Sequence, residues 1–413
     1  MDSSRLVSPA LDRRRLLQGG AALGGAGLLA GCAAQGGTVM LLSGVQAGGP
    51  GAPGALNLAP IRASEERLFD ITVCLRPFRA QGPRIESEQL GDTLVVHNYG
   101  HGGSGWSLSW GSAALAVRQA LANGPADVAV LGCGALGLTA AITAQRAGAK
   151  VTIYARDLLP DTRSSRATGT WTPDSRIALV DKAAPGFAAQ WEEMARISWH
   201  TYRSYLGLPG TPVEWQDRYY LSDDESHPNG EGGGAPGELR FASYGDRVRD
   251  IQPAPVLLPA GSTPFPAKYV RRFQSMTFNI ADYGHTLMTD FLLAGGRIQR
   301  HDFHAPSELT SLPEKVVINC PGYAARALWK DDSIVPVRGQ IGWLIPQPEV
   351  TYGVVFDGVN VVPRRDGIVL QMLDGGDMRG YGDDNETPDR AEALLAVKRV
   401  ADLYARFGKK AAG

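Results

Sequence analysis

The feature that most constrains the fold is a glycine-rich turn between two short apolar strands. Residues 127–131 read Asp-Val-Ala-Val-Leu, residues 132–137 read Gly-Cys-Gly-Ala-Leu-Gly, a helical pattern follows, and residues 150–154 form the second strand. Gly132 allows a tight turn, Gly134 lets the backbone approach a pyrophosphate, and the last glycine lets helix and strand pack closely. Free N–H groups at the helix start bind phosphate. The order strand, turn, helix, strand therefore predicts a dinucleotide site rather than a structural glycine turn.

The turn alone does not distinguish FAD from NAD. The acidic residue that usually ends the second strand and holds the ribose comes late here, at Asp157, directly after Arg156. The position of this unit is also unusual, because residues 61–125 look globular and precede a strand that normally opens its domain. The choice of cofactor therefore depends on the rest of the chain.

Two motifs in the preceding segment are highly specific. Residues 70–79 end in Arg-Pro-Phe-Arg, and residues 97–105 read His-Asn-Tyr-Gly-His-Gly-Gly-Ser-Gly before a helical stretch. Together they closely resemble the carboxyl-terminal signature of the D-amino acid oxidase family. In that family the glycine-rich strand comes first and this signature comes last. The reversed order predicts a circular permutation, in which residues 123–125, Asn-Gly-Pro, join the old last helix to the old first strand.

Four later segments resemble the same family in its usual order. They are a second FAD segment, a strand and glycine turn near the flavin, an Arg-Gly-Gln strand and part of a strand covering the substrate, at residues 164–173, 316–322, 337–341 and 361–364. The resemblance covers about 70–405. It implies an α/β fold with a Rossmann-like FAD-binding domain and a mixed-sheet α+β substrate domain, in circularly permuted order.

The resemblance and the composition together divide the chain into seven segments. These are a signal (1–31), a flexible tether (32–60), the permuted carboxyl-terminal segment of the family (61–125), the FAD-binding βαβ unit (126–180), mixed segments of both domains (181–300), flavin-proximal strands (301–345), and substrate cover strands with the final helix (346–413).

The resemblance implies FAD as cofactor, held by residues in three regions. The glycine turn and the second strand supply Gly132, Gly134, Ala135, Leu136, Gly137, Arg156 and Asp157. Later segments supply Thr162, Arg163, Ser164, Gly169, Thr170, Phe303 and Gly322. The His-Asn-Tyr-Gly-His motif supplies Gly102, Gly103, Ser104, Gly105, Trp106 and Ser107.

The resemblance also implies a substrate site. Arg76 matches the arginine that holds the substrate carboxylate by two parallel hydrogen bonds, whereas Arg79 is expected to be structural. Gly103 matches the glycine whose carbonyl accepts the substrate amine. Phe356 and Asn360 stand at catalytic-site positions where the family has tyrosines, so neither supplies a phenol.

Several other side chains have less specific roles. His97 and His101 are expected to support the site or border the flavin, not to act as acid–base catalysts or metal ligands. Tyr352 offers a hydroxyl to the substrate carboxylate or simply packs, and Gln371 stands where the family often has glycine. Three cysteines are predicted to be buried or inert thiols: Cys74, Cys133 and Cys320.

The implied reaction oxidises a D-amino acid to an imino acid, which hydrolyses to a 2-oxo acid and ammonia while dioxygen or another acceptor reoxidises the flavin. An alternative within the flavin enzymes is the oxidation of glycine, N-methyl amino acids or D-aspartate. D-Aspartate needs another cation, for which Arg364 or Arg365 is a candidate. A third hypothesis, motivated by the missing tyrosines, is a flavin-binding lipoprotein without turnover.

The amino terminus predicts export. Arg13 and Arg14 belong to a basic run, residues 19–30 are apolar and too short for a membrane span, and Leu-Ala-Gly-Cys ends at Cys32. This order resembles a twin-arginine signal with a bacterial lipobox. It predicts a lipid anchor on Cys32, facing the periplasm or the cell exterior; the alternative is a basic helix of a cytoplasmic protein. The net charge of −1 suggests no nucleic-acid partner.

Overall fold

The computed structural model describes residues 56–224 and 239–408, so the predicted signal, Cys32 and most of the tether lie outside the described residues. Within these ranges no helix is long and apolar enough to cross a membrane. The described α-helices and strands are, in chain order, β1 (Leu68–Arg79), β2 (Ser87–Leu90), β3 (Thr93–His97), α1 (Gly105–Ala120), β4 (Asp127–Leu131), α2 (Ala135–Arg146), β5 (Lys150–Ala155), α3 (Phe187–Arg203), β6 (Val213–Ser222), β7 (Val256–Leu257), β8 (Tyr269–Phe278), α4 (Ile280–Leu293), β9 (Arg297–Arg300), β10 (Val316–Asn319), α5 (Ala325–Leu328), β11 (Ile334–Leu344), β12 (Tyr352–Phe356), β13 (Val359–Arg364), β14 (Gly367–Met372) and α6 (Arg390–Ala405).

The smaller sheet has six strands in the order β2-β3-β10-β4-β5-β9. Five of them run parallel, and β2 pairs antiparallel at one edge. Val128 and Val130 of β4 face the core formed with α1 and α2, while Ala129 and Leu131 face a second core on the other side. A parallel strand covered on both faces is apolar throughout, which is why β4 shows no alternation of polar and apolar residues.

The larger sheet has eight strands in the order β1-β11-β14-β13-β12-β6-β8-β7. Its neighbours pair antiparallel except β12 and β6, which run parallel. The segment at 61–125 thus contributes β1 to this sheet and β2 and β3 to the smaller one. Two mixed sheets with covering helices confirm the predicted mixed α/β fold class.

The two faces of the larger sheet have different neighbours. On one face Val354, Val361 and Leu370 pack in an apolar cluster with α6. The other, which we call the inner face, carries Thr72, Arg76, Ile341, Trp343, Asn360, Val362, Val369 and Gln371. The register supports this assignment, because Thr72 pairs with Ile341 and Asn360 with Gln371, and side chains alternate along a strand. The Nε1 of Trp343 donates to the Oγ1 of Thr72 at 2.8 Å.

Candidate active site

A cavity of about 480 Å³ lies where the parallel strands of the smaller sheet end. The first residue after each of four strands lines it: Gly132 after β4, Arg156 after β5, His301 after β9 and Cys320 after β10. Ligands of open α/β sheets bind at this edge, outside the carboxyl ends of the strands. The sheet therefore provides the platform that the glycine-rich turn predicts.

The turn brings the start of α2 to the cavity. A Cβ atom on Gly134 would lie 2.7 Å from the Oγ of Ser164, so this position has no room for a side chain. The N–H of Ala135 donates to the same Oγ at 3.0 Å. Since α2 has twelve residues, its N-terminus offers both free N–H groups and the positive end of a helix dipole. This cradle fits the pyrophosphate of FAD.

Eleven of the residues predicted to hold FAD line the cavity: Gly132, Gly134, Ala135, Leu136, Arg156, Asp157, Thr162, Arg163, Ser164, Phe303 and Gly322. Asp157, the late acid, forms an ion pair with Arg156 at 2.9 Å. Arg163 forms an ion pair with Glu386 and lies over the ring of Tyr323. Sixteen further lining residues were not predicted from the sequence, among them Asp161, Arg166, His301, Asp302, His304, Tyr323 and Glu386. The residues after β9 could have been predicted, because they follow the carboxyl end of a parallel strand, where ligands of such sheets bind.

Nine predicted cofactor residues do not line the cavity: Gly137, Gly169, Thr170, Gly102, Gly103, Ser104, Gly105, Trp106 and Ser107. Those at 102–107 instead contact the second predicted FAD segment. The Nε1 of Trp106 donates to the carbonyl of Ser164 at 2.8 Å, and the N–H of Thr172 donates to the Oγ of Ser107 at 2.8 Å. The two segments therefore form a continuous wall leading away from the cavity. Along it, the buried Nε1 of Trp171 has no hydrogen-bond partner among the described residues.

Gly103 lies directly on the backbone of Ser175. Its N–H donates to the Ser175 carbonyl at 3.0 Å. A Cβ on Gly103 would lie 2.5 Å from the Oγ of Ser175, so packing against this loop requires glycine in addition to any approach to the flavin. Gly169 is held elsewhere, because its carbonyl accepts from the N–H of Phe278 in β8 at 2.6 Å. Thr170 pairs with Thr277 of the same strand.

The wall passes across the inner face of the larger sheet. Arg166 donates from Nη1 to the carbonyl of Val73 in β1 at 3.1 Å. Thr168 donates to the Oε1 of Gln371 in β14 at 2.9 Å. These contacts join the predicted FAD segment to the sheet that carries the predicted substrate residues.

Arg76 lies on this inner face and is only partly buried. Its guanidinium crosses Gly339, where a side chain would collide with it, and its Nη1 donates to the carbonyl of Arg338 at 3.2 Å. In the described part of the chain no carboxylate lies within the 4.0 Å of a salt bridge. Burial, and then the positive charge of Arg76, lowers the pKa of Arg176 to about 10. Arg176 itself pairs with Asp377 at 3.7 Å, so Arg76 is the guanidinium here without a carboxylate partner among the described residues, and it attracts an anion.

Asn360 lies on the same inner face, but Phe356 does not. Asn360 is buried and its Oδ1 accepts from Arg218. Phe356 pairs with Val359 and packs with the apolar cluster on the α6 face. The Cζ of Arg406 lies 5.8 Å from the centroid of its ring. The expectation that Phe356 stands at the catalytic site together with Asn360 is therefore wrong in this structure, since the sheet separates its ring from Asn360.

The structure also removes three side chains from the substrate site. Tyr352 donates its hydroxyl to the carbonyl of Ala59 at 2.7 Å and bonds Tyr404, so it packs rather than binds carboxylate. Arg364 is paired with Asp366, and Arg365 is paired with Glu214 at 2.8 Å. Neither arginine is available as the additional cation for D-aspartate.

The two motif histidines lie in buried hydrogen-bond networks. His97 bonds Glu88 through Nε2 at 2.8 Å. His101 bonds Ser112 through Nε2 at 2.8 Å, and burial lowers the pKa of His101 to about 3. An imidazole that stays neutral at physiological pH is a poor proton donor, as expected for a supporting residue.

The described cysteines are free and buried: Cys74, Cys133 and Cys320. Burial raises the pKa of the Cys133 and Cys320 thiols to about 12, so both are inert as the sequence predicted. Among the residues of the two described ranges, no group of three or more His, Cys, Asp or Glu side chains is placed to hold a metal ion.

Comparisons with known proteins agree with this geometry. A D-amino-acid oxidase of Rubrobacter xylanophilus is 27% identical over 290 residues, covering 68% of this chain and 78% of the relative. A D-amino-acid oxidase of Dictyostelium discoideum is 26% identical over 294 residues, covering 68% and 74%. A structure of an L-amino acid deaminase from Proteus vulgaris covers 69% of this chain and 76% of its own, at 16% identity and a TM-score of 0.45, which is too loose to bear on the reaction.

The family model described as DAO, FAD dependent oxidoreductase, matches residues 127–412, which is more than half of the chain. The match begins at the first residue of β4, the strand before the glycine-rich turn. The protein is therefore an enzyme that uses FAD as its cofactor. This excludes the third hypothesis, a flavin-binding protein without turnover. The chain belongs to the DAO family of FAD-dependent oxidoreductases.

Proposed function

We propose that this enzyme oxidises a D-amino acid to the imino acid, which water hydrolyses to a 2-oxo acid and ammonia. When bound, FAD supplies the acceptor for the hydride that leaves the substrate Cα. With dioxygen as the final electron acceptor, hydrogen peroxide would be the other product. The observation that carries the proposal is Arg76, a partly buried guanidinium on the inner face without a carboxylate partner among the described residues. The two similar D-amino-acid oxidases support the substrate class.

The residues of the protein bind and orient the substrate in this proposal. Arg76 makes the planar two-point contact to the substrate carboxylate. The carbonyl of Gly103 accepts the substrate amine, as the resemblance implies. Asn360 offers an amide where the family has a phenol. No side-chain base is required, provided that the amine binds in its neutral form.

Replacement of Arg76 tests the proposal. Loss of a bidentate charged contact costs on the order of 2–5 kcal/mol. Arg76→Ala should therefore lower kcat/KM for the D-amino acid that the parent oxidises best, measured as 2-oxo acid and ammonia formed, by about a hundredfold or more. Arg76→Lys should recover only part of this, because an ammonium cannot make the two-point contact. Arg249→Ala, an exposed arginine far along the chain from this site, is the control and should match the parent enzyme. Unchanged turnover in Arg76→Ala would refute the assignment.

We also propose that the order of segments is a circular permutation of the family fold. Its support is the position of the described ends. The N–H of Leu56 donates to the carbonyl of Ser262 at 3.1 Å, and the N–H of Gly408 donates to the carbonyl of Pro264 at 2.8 Å. Glu65 and Arg390 also form an ion pair at 2.7 Å. Because both ends contact the same loop, a short linker could join them without moving the helices and strands.

The export of the enzyme as a lipoprotein is a separate proposal, supported by sequence alone. Arg13 and Arg14 replaced by Lys should leave the enzyme in the cytoplasm, and Cys32→Ala should abolish lipid attachment. Labelled palmitate incorporated equally by parent and Cys32→Ala protein would contradict the lipid anchor.

A further inference from the structure

Arg218 is a buried arginine in β6 that has no role in the oxidation reaction proposed above. Only 5% of its surface is exposed. It pairs with Gly353 of β12 on one side and with Phe273 of β8 on the other. Because Gly353 has no side chain, the Arg218 side chain passes over β12, where a Cβ would lie 3.1 Å from its Nε. Its guanidinium reaches Asn360 of β13.

The guanidinium of Arg218 lacks a counter-ion. Among the described residues its hydrogen-bond acceptor is the Oδ1 of Asn360, and its Nε has none. No described carboxylate forms an ion pair with it, whereas its neighbours Asp217 and Arg272 pair with each other at 3.9 Å. Burial lowers the pKa of Arg218 to about 10, and no acidic group offsets this effect. A guanidinium has five N–H donors, so most of its binding capacity is unused.

The head of Arg218 lies on the inner face. The Nδ2 of Asn360 contacts the Oε1 of Gln371 at 3.5 Å, and the same oxygen accepts from Thr168 at 2.9 Å. Thr168 belongs to the predicted FAD segment. The chain of contacts therefore runs from Arg218 to the predicted FAD segment that crosses the inner face. Asn360 is also the position that the family resemblance places against the substrate.

A buried cation without a partner is costly, and an anion delivered by a ligand removes that cost. Arg76 already accounts for one carboxylate. Arg364 and Arg365 are neutralised by their own acidic partners. The guanidinium of Arg218 lies 5.5 Å from the ring centroid of Phe273, but it has no carboxylate partner within the described ranges. A neutral substrate side chain would leave that charge unsatisfied.

We infer that Arg218 binds a second carboxylate, carried by the side chain of a dicarboxylic amino acid, while Arg76 binds the α-carboxylate. The inference rests on the proposed function and assigns its substrate class. Asn360 positions the Arg218 head through its Oδ1, and Gly353 provides the space for the side chain. No covalent step is added to the reaction.

Binding of unreactive acids to the FAD-loaded enzyme tests the inference without turnover. Succinate and butyrate match in length and differ by one carboxylate. The parent enzyme should bind succinate about a hundredfold more tightly than butyrate, as expected for a buried charge pair. Arg218→Met should remove this preference while butyrate binding stays within a few-fold. Arg272→Met, on the neighbouring strand, should keep it.

A parent enzyme that binds the two acids equally overturns the inference, even if Arg218→Met fails to fold. Arg218→Lys provides the second variant, and it should retain part of the preference for succinate. Retention of the full preference in Arg218→Met would also overturn the inference.

Turnover separates this inference from the proposed function. The parent should oxidise D-glutamate or D-aspartate with kcat/KM about a hundredfold above that for D-glutamine or D-asparagine. Oxidation of the neutral amides alone overturns the role of Arg218 and leaves the proposed function intact. Failure to oxidise any D-amino acid overturns the proposed function itself.

Discussion

The hydrogen atom that Gly134 carries in place of a side chain points at the Oγ of Ser164. A methyl group there would sit 2.7 Å from that oxygen, against the start of α2. This steric overlap between the methyl group and Ser164 lies where the pyrophosphate of FAD is predicted to bind. FAD retention is therefore the property of this residue that responds most directly to substitution.

Gly134→Ala should reduce FAD affinity by about five- to a hundredfold, because overpacking of this kind costs roughly 1–3 kcal/mol. Titration of the apoenzyme with FAD, followed by flavin fluorescence, measures the effect. Gly245→Ala is the matched control, since a Cβ there lies 3.7 Å from the nearest atom, an ordinary contact. Equal FAD affinity in both variants would show that the turn does not hold the pyrophosphate.

His101 links stability to pH. Its pKa falls from 6.5 in the unfolded chain to about 3 in the folded enzyme because the ring is buried. Between these values the unfolded chain binds the extra proton, so folding stability should decrease as the pH falls from about 6.5 to about 3. His101→Gln should remove up to about 1.4 kcal/mol per pH unit of this slope. Urea unfolding of both proteins between pH 4.5 and pH 7 measures it, and identical slopes would contradict the prediction.

At the scale of elements, the strands around the glycine-rich turn were the most predictable. Apolar residues, glycine spacing and the helix pattern all agree there, and β4, α2 and β5 lie where the sequence places them. The position of Phe356 could not be found from spacing to Asn360 alone. Asp357 and Gly358 both have positive φ and form a two-residue hairpin turn. The turn pairs Phe356 with Val359 and so puts it on the face opposite Asn360. An Asp-Gly pair between the apolar residues Phe356 and Val359 was the available signal.

The hairpin between β12 and β13 provides a prediction of its own. Gly358→Ala forces a methyl group into the Asp374 carboxylate in addition to left-handed backbone strain. It should destabilise the enzyme by about 3 kcal/mol, as strain and overpacking add. Gly261→Ala has comparable strain, with φ of +74°, but free space around the Cβ, and should cost about 1 kcal/mol. Denaturant unfolding separates them; equal losses would mean that the contact with Asp374 is irrelevant.

For the whole molecule, motif order predicted a rearranged chain, and the two described ends lie against residues 262–264. The strand order of the larger sheet was beyond the sequence, because two of its pairings join residues far apart in the chain, such as Val73 with Gln340 and Arg218 with Gly353. Arg218 was missed for the same reason. Its burial and its contact with Asn360 depend on the parallel pairing of β6 and β12, which no local pattern encodes.

Reversal of the permutation tests this organisation. A chain that begins at Ala126 and ends at Ala122, with residue 408 joined to residue 56 by a short glycine linker, should fold and bind FAD with affinity close to the parent. The linker replaces a gap between two segments that contact one loop. A chain opened instead inside β11, between Arg338 and Gly339, should not retain FAD. Loss of FAD in the first chain with a normal yield of the second would contradict the permutation.

The central claim is that this enzyme removes a hydride from the Cα of a D-amino acid, and reduction of its own flavin measures that step most directly. The FAD-loaded enzyme, kept free of oxygen, is mixed with matched D- and L-amino acids, including both acidic and neutral pairs, while the flavin absorbance is recorded. We expect rapid bleaching by at least one D-amino acid, a stable spectrum with its L-enantiomer, and return of the colour when oxygen is admitted. A flavin that stays oxidised with every D-amino acid, or that is bleached equally by both enantiomers, would contradict it.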